Sequence, residues 1–360
     1  NGNNELIMAT YKEIFGKQVK FLSSDPANEA EGQIWYNSTS DTFKSVVASE
    51  AWSAGGPLAD SREGLSGFGL QTAAIGAGGE TTVAVGNTEE YNGSGWETKT
   101  AMNTANRALA AAGVVTAGVV FGGFATATNA ELWDGSSWTA TGALNTGRNS
   151  LSGAGIQNSA LAMGGQPGIL GNVEAFNGST WTAKTALNTA RVATAAAGST
   201  NTAVLVWGGY TVSPPTTITT ETESWNGTSW TTSPATLNTA TYSGGGAGVQ
   251  TSAITFGGTV ATPAKTNLTQ RYDGTSWTTS PATLATARGL AAAGTSSVAL
   301  GFGGPAPGGS TLTEEFNIAS SIITPGAWSS KPAMSLARYG GASGGSPTAA
   351  FYATGYSGSY

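Results

Sequence analysis

Two side chains of opposite charge return along this chain at a regular spacing. Arg62, Arg107, Arg148, Arg191 and Arg288 are each followed, 24 to 32 residues later, by Glu89, Glu131, Glu174, Glu223 and Glu314. One further copy has Thr241 where the arginine belongs and Gln270 where the glutamate belongs, so both charges vanish together. Residues that appear and disappear as a pair point to a direct contact, here a bidentate guanidinium–carboxylate pair between strands. The alternative chemistry is a ring of arginines forming an anion-binding mouth. One glutamate per arginine leaves little net positive field, which favours the structural pair. Other chemistry is poorly provided for, because the chain has no histidine and no cysteine. That removes the commonest general base, thiolate chemistry and the usual transition-metal ligands. Its aspartates are Asp25, Asp41, Asp60, Asp134 and Asp273, two of them in turn dipeptides, and most glutamates fall at the paired position. No catalytic residue, metal site or cofactor is therefore expected.

The elements that must position these charges form one repeat. A tryptophan stands at Trp52, Trp96, Trp138, Trp181, Trp230, Trp277 and Trp328, ten or eleven residues before the arginine position, and a glycine pair follows that position fifteen to seventeen residues on. From Arg62 to Arg338 is 276 residues in six steps, a mean period of 46. Periods of this size belong to repeat architectures, in which each unit buries its apolar face against the next.

Each unit divides into four short strands. The first is nearly all alanine and glycine, as in Leu109–Gly113; the second is β-branched and ends on Gly-Gly; the third carries the glutamate and an aromatic; the fourth carries the tryptophan. Asn-Gly at 92, 177 and 226 and Asp-Gly at 134 and 273 join the third to the fourth, and read as type I′ hairpin turns. Four graded antiparallel strands, repeated radially, make a propeller blade. Small residues suit the crowded axis, and tryptophan suits the wider space between outer strands. The copy starting at Arg338 supplies only two inner strands before it ends near Gly355, whereas unmatched outer strands lie between Gln33 and Trp52. The expected fold is all-β: a seven-bladed propeller over 32–360 whose last blade is closed by N-terminal strands, preceded by an extension at 1–31.

Composition bounds the partners. Of 360 residues 53 are glycine and only 10% are charged, with a net charge of −6 and no basic run. Nucleic acid is an unsuited partner, since phosphate neutralisation needs clustered Lys and Arg. No apolar run reaches the roughly 20 residues that span a bilayer. Residues 1–7 precede Met8-Ala9-Thr10, which reads as a translation start, so that stretch reads as an added or processed segment, or else the chain extends further. The Asn-x-Ser/Thr matches at Asn37, Asn92, Asn177, Asn226 and Asn267 are mostly the hairpin asparagines themselves.

With Gly-Gly closing the second strand, an aromatic in the third and Trp in the fourth, the chain resembles the kelch-type propellers over Gln33 to Tyr360. Its Arg–Glu pattern and very small first strands depart from that motif. A copper radical oxidase of the kelch type needs His ligands and a crosslinked Cys, which this chain lacks. The stretch Gly16-Lys17-Gln18-Val19-Lys20-Phe21-Leu22-Ser23-Ser24-Asp25-Pro26-Ala27-Asn28, followed by Gly32-Gln33-Ile34-Trp35-Tyr36-Asn37-Ser38-Thr39, resembles the start of propeller-bearing structural proteins of marine bacteriophages. That resemblance implies a virion-surface, extracellular, non-enzymatic protein: a tail fibre, spike or capsid decoration. It implies that the N-terminal segment meets other virion proteins. The loops after the glycine pairs differ most between copies, with Phe124, Tyr210, Pro214, Pro215 and Pro305 among their residues, and would meet a host surface glycan or protein. The alternatives are a secreted bacterial propeller that binds carbohydrate or builds a filament and, third, an enzyme.

Overall fold

The computed structural model describes residues 20–26, 34–212, 217–261, 264–305, 309–323, 342–346 and 349–353. The chain divides into two compact units, Ser49–Ala319 and a second made of Asn1–Ala48 with Ser320–Tyr360.

Every described element is a strand. In Ser49–Ala319 the repeat folds as expected, into four-stranded antiparallel sheets whose strands we call a to d from the inside outwards. Sheet 1 is Ser66–Leu70, Ala73–Ala77, Thr88–Tyr91 and Trp96–Lys99; sheet 2 is Ala110–Val114, Ala117–Phe121, Ala130–Trp133 and Trp138–Ala140. Sheet 3 is Ser152–Ile156, Ser159–Met163, Val173–Phe176 and Trp181–Lys184; sheet 4 is Ala195–Thr200, Ala203–Trp207, Thr222–Trp225 and Trp230–Thr232. Sheet 5 is Gly245–Val249, Ser252–Phe256, Thr269–Tyr272 and Trp277–Thr279. Sheet 6 takes Ala291–Gly294, Val298–Phe302 and Thr313–Ile323 from one end of the repeat and Thr42–Ala54 from the other. Its outer strand is fixed by Ser49 Oγ donating to the Ala319 carbonyl at 3.2 Å and by the Gly55 amide donating to the Thr313 carbonyl at 2.9 Å.

Among the described residues this unit shows six antiparallel sheets of the repeat, five of them four-stranded, with the Trp52 strand beside Thr313–Ile323 in the sixth; the described residues of this unit form no seventh. The six a strands touch in cyclic order, the last against the first. One bond repeats at every junction. The second glycine of each pair donates its amide to the carbonyl at the arginine position of the next sheet: Gly79 to Asn106, Gly123 to Arg148, Gly165 to Arg191, Gly209 to Thr241, Gly258 to Arg288 and Gly304 to Arg62, all at 2.7 to 3.0 Å. These second glycines have φ between +86° and +121°, where a side chain is strained, which explains the strict Gly-Gly.

Strand b is buried along almost its whole length, because a neighbouring sheet covers each face; hence its unbroken apolar runs. Six separate apolar clusters lie between successive sheets, including one joining Leu65, Ala74 and Tyr91 to Leu300 and Phe302 across the sixth and first. At the axis the small residues are obligatory: a Cβ on Gly67 or Gly153 would stand 2.6 Å from a backbone oxygen of the adjoining a strand.

In the smaller unit Lys20–Leu22 pairs in parallel with Ile34–Asn37, which runs antiparallel to the start of Thr42–Ala54. Asp25 ties the three together, accepting from Trp35 Nε1 at 3.2 Å, Asn37 Nδ2 at 2.8 Å and Lys44 Nζ at 2.8 Å. Ala342–Ser346 and Ala349–Ala353 form a hairpin. Most of the 1–31 attachment segment, and Trp328 and Arg338, lie outside the described residues.

Candidate functional site

In four sheets the arginine sits just before strand a and its glutamate in strand c of the same sheet. Arg62 Nη2 reaches Glu89 Oε1 at 2.6 Å, Arg148 Nη1 reaches Glu174 Oε1 at 2.5 Å, Arg191 Nη2 reaches Glu223 Oε1 at 2.6 Å, and Arg288 Nη1 bonds Glu314 Oε1. All eight side chains are buried. The pairs are single-pronged rather than bidentate, because each partner divides its bonding capacity. Arg62 Nη1 donates to the carbonyls of Gly78 and Asn87, and Arg191 Nη1 to those of Gly208 and Glu221, so the guanidinium holds the glycine turn. The second carboxylate oxygen accepts a backbone amide from the loop between strand d and the next sheet, at Ala59, Asn145, Asn188 and Ala285, each at 2.7 Å. Burial pulls Arg62 and Arg191 below the ordinary arginine range despite the opposing pull of Glu89 and Glu223. With their guanidinium groups spent inside the sheets, these arginines form no anion-binding mouth.

Sheet 2 departs from the expectation. The buried position belongs to Asn106, not Arg107; only the Asn106 carbonyl receives the Gly79 amide. Asn106 Nδ2 takes the glycine carbonyl, here Gly122, at 2.8 Å. Glu131 is left without a cation, and accepts instead from the Asn103 and Thr104 amides and from the Asn103 and Asn129 side chains at 2.8 to 3.1 Å. Arg107 lies outside, ion-paired to Glu80, with its guanidinium carbon 4.4 Å from the centre of the Phe124 ring. Sequence spacing could not separate the two residues, since the arginine follows its tryptophan by ten residues in some copies and eleven in others. In sheet 5 the neutral substitute is complete: Gln270 exchanges two 3.0 Å bonds with the backbone of Thr239.

The six described tryptophans of the repeat pack from strand d against the preceding sheet, and Trp52, Trp96, Trp181 and Trp277 meet Phe256, Phe302, Phe121 and Trp207 there at 4.7 to 5.1 Å. A second contact was not legible from pattern alone. The indole N–H of Trp52, Trp96, Trp138 and Trp277 donates to the first residue of strand c in the preceding sheet, Thr269, Thr313, Thr88 and Thr222, at 2.9 to 3.0 Å. That residue is Ala130 before Trp181, whose buried indole nitrogen has no partner. The hairpins between strands c and d are four-residue loops, not type I′ turns: only their glycines have positive φ, and the Asn or Asp side chain caps the loop by accepting two backbone amides. Those amides, from Ser137 first, hold Asp134 at a pKa of about 2.

The loops leading into strand a and the loops after the glycine pairs share one face, around the wide end of the axial channel. A cavity of about 390 Å³ opens there, lined by all six sheets, with hydroxyls from Ser66, Ser150, Ser152, Thr194 and Ser243 and with two charged residues, Glu63 and Lys265. Gly64, Ala108, Ser150, Ala193 and Ser243, all at positive φ, chain along its rim: the amide of each of the last four donates to the carbonyl of the one before at 2.8 to 2.9 Å. A second, smaller cavity of about 100 Å³ lies between the a strands. Of the loop residues singled out, Phe124 is 60% exposed, Pro305 lines the cavity and is exposed, and Tyr210 packs edge-on against Tyr242 at 5.5 Å, partly buried. Pro214 and Pro215 lie outside the described residues. Among the described residues no three acidic side chains converge to hold a metal ion. No family model matches the chain, and no curated protein is detectably similar to it.

Proposed function

We propose that the Ser49–Ala319 unit is a closed six-bladed propeller, kelch-like in its glycine pairs and tryptophans, that serves as a non-enzymatic adhesive or structural module on the outside of a particle. The observation that carries this reading is a division of labour between parts of the repeat. Gly-to-carbonyl bonds and Trp-to-Thr bonds recur from sheet to sheet, and none of them uses a loop side chain. The loops after the glycine pairs change freely on top of them. A rigid, weakly charged scaffold with one variable face is what a recognition module needs. The specific setting we propose is a bacteriophage virion, as a tail fibre, spike or capsid decoration, with the N-terminal segment meeting other virion proteins and the loop face meeting a host glycan or protein. Binding of the purified full chain to candidate host cells and to particle proteins tests it. Cell binding that is lost when the 123–129 and 259–266 loops are replaced by glycine–serine supports adhesion. Binding to particle proteins alone, unaffected by the loops, replaces that reading with a purely structural one.

A further inference from the structure

We propose that Phe124 is a stacking platform for a neutral pyranose ring, with Arg107 and Glu80 supplying hydrogen bonds at its rim; this rests on the loop-face reading above. The starting point is the irregularity of sheet 2. Four sheets bury an arginine beside their glutamate, and this one sets its arginine outside, leaving Glu131 buried without a cation. What the displaced arginine contacts is the flat of an aromatic ring, 4.4 Å from its centroid. One face of Phe124 is therefore covered, yet the side chain remains 60% exposed. The guanidinium is itself held by Glu80, and Arg107 is 37% exposed, so a charged donor and acceptor stand at the edge of the ring beside its covered face.

The loop that carries the ring is fixed from below. The Phe124 amide donates to the Arg107 carbonyl at 2.9 Å, the Ala125 amide to Asn106 Oδ1 at 3.0 Å, and Asn106 Nδ2 to Thr126 Oγ1 at 3.3 Å. A large apolar surface held still in water is costly unless something covers it, and a preorganised one binds with little loss of conformational entropy. The apolar C–H face of a pyranose fits a single free aromatic face, and the guanidinium on the other face fixes the orientation of the ring. Vicinal hydroxyls are then met by planar charged groups, which bond two at a time. Nothing else among the described residues combines an exposed ring, a charged fork and a pinned loop: Tyr210 packs edge-on against Tyr242, and the cavity has no aromatic in its lining.

Saturation-transfer NMR on the full chain with methyl glucoside, galactoside, mannoside and N-acetylglucosaminide, alongside cell binding, provides the test. At least one glycoside is expected to receive saturation on one ring face, with a Kd on the order of 1 mM. Phe124→Ala should weaken it about tenfold, Phe124→Trp should keep or tighten it, and both should melt with the wild type. Absence of transfer to all four glycosides, or transfer indifferent to Phe124→Ala, overturns the platform. Cell binding that disappears in Phe124→Ala while no glycoside binds overturns the pyranose as occupant and leaves the adhesive face standing. Glycoside binding through Phe124 without any cell binding supports the platform and removes the adhesive reading.

Discussion

The buried pair of sheet 3 offers a test with its own internal control, because sheet 5 carries the neutral version of the same site. Arg148 and Glu174 are essentially inaccessible, 2.5 Å apart. The arginine also donates to the Thr146 and Ala162 carbonyls, and Glu174 accepts the Asn145 amide at 2.7 Å and Asn145 Nδ2 at 2.8 Å. Arg148→Thr strands a carboxylate in the interior, which costs about 3 to 5 kcal/mol. In a unit of this size that lowers Tm by about 6 to 10 °C. Glu174→Gln strands the guanidinium and should cost a comparable amount. The double substitution Arg148→Thr, Glu174→Gln recreates Thr241 and Gln270, a combination the fold already accommodates, and should recover all but about 1 to 2 kcal/mol. Calorimetry or urea denaturation of the four proteins gives the coupling. Additive losses, or a wild-type Tm for Arg148→Thr, would refute the claim that the pair is buried and mutually compensating.

The pH dependence of the same series has a definite sign. Burial alone would raise the Glu174 pKa, but the Arg148 and Asn145 hydrogen bonds and the Arg148 charge outweigh it and hold the carboxyl below its ordinary value. A folded pKa below the unfolded one stabilises the protein above the unfolded pKa, near 4.3, and the contribution is lost as pH falls through the folded value. In Arg148→Thr the Arg148 hydrogen bond and charge are lost while burial and the Asn145 hydrogen bonds remain, so the pKa rises and acid costs the variant less than the wild type. The Tm gap between wild type and Arg148→Thr should therefore narrow from pH 7 towards about pH 4. A gap that widens on acidification contradicts the assignment.

Four further substitutions probe the sheets and their junctions. Ala130→Thr supplies the hydroxyl that Trp181 Nε1 lacks and that four other tryptophans have, and should stabilise by about 1 kcal/mol in thermal melts; a loss would mean the threonine contacts are not energetically used. Thr313→Val leaves Trp96 in the state of Trp181 and should cost about 1 to 3 kcal/mol by the same assay. Gly118→Ala would bring a methyl to 2.2 Å from the Phe68 ring and should cost about 1 to 3 kcal/mol, whereas Gly95, with open space around it, should accept alanine nearly unchanged.

Much of this was legible in the sequence, and the failures have particular causes. The strand order, the small a strands, the Trp packing and the Arg–Glu pairing follow from residue types that only one environment suits. The pairing of the Trp52 strand did not follow, because counting tryptophans counts phases of the repeat and not pairings of strands. Trp52 and Trp328 carry the same spacing to the following leucine or methionine and arginine, so either reads as an outer strand. Only pairing decides, and Ser49, Ser53 and Gly55 are bonded to strand c of sheet 6. Asn106 was missed for a related reason: a one-residue slip is invisible where spacing varies by one, yet it reverses which side chain is buried.

That slip also shows how such a fold can move a charged side chain from the interior to its loop face. At the arginine position the backbone carbonyl, not the side chain, accepts the bond from the preceding sheet, so the ring junction is preserved whatever residue stands there: arginine in four sheets, threonine in sheet 5, asparagine in sheet 2. The side chain's own task, holding the glycine turn, is partly met by Asn106 through Gly122. The carboxylate it would have neutralised is met by four neutral donors. With junction, turn and carboxylate each served separately, sheet 2 can place its arginine one residue along, on the loop face, without opening the ring. The scaffold constrains the backbone at these positions more tightly than the side chains, and its surface can therefore vary copy by copy while the six junctions stay the same.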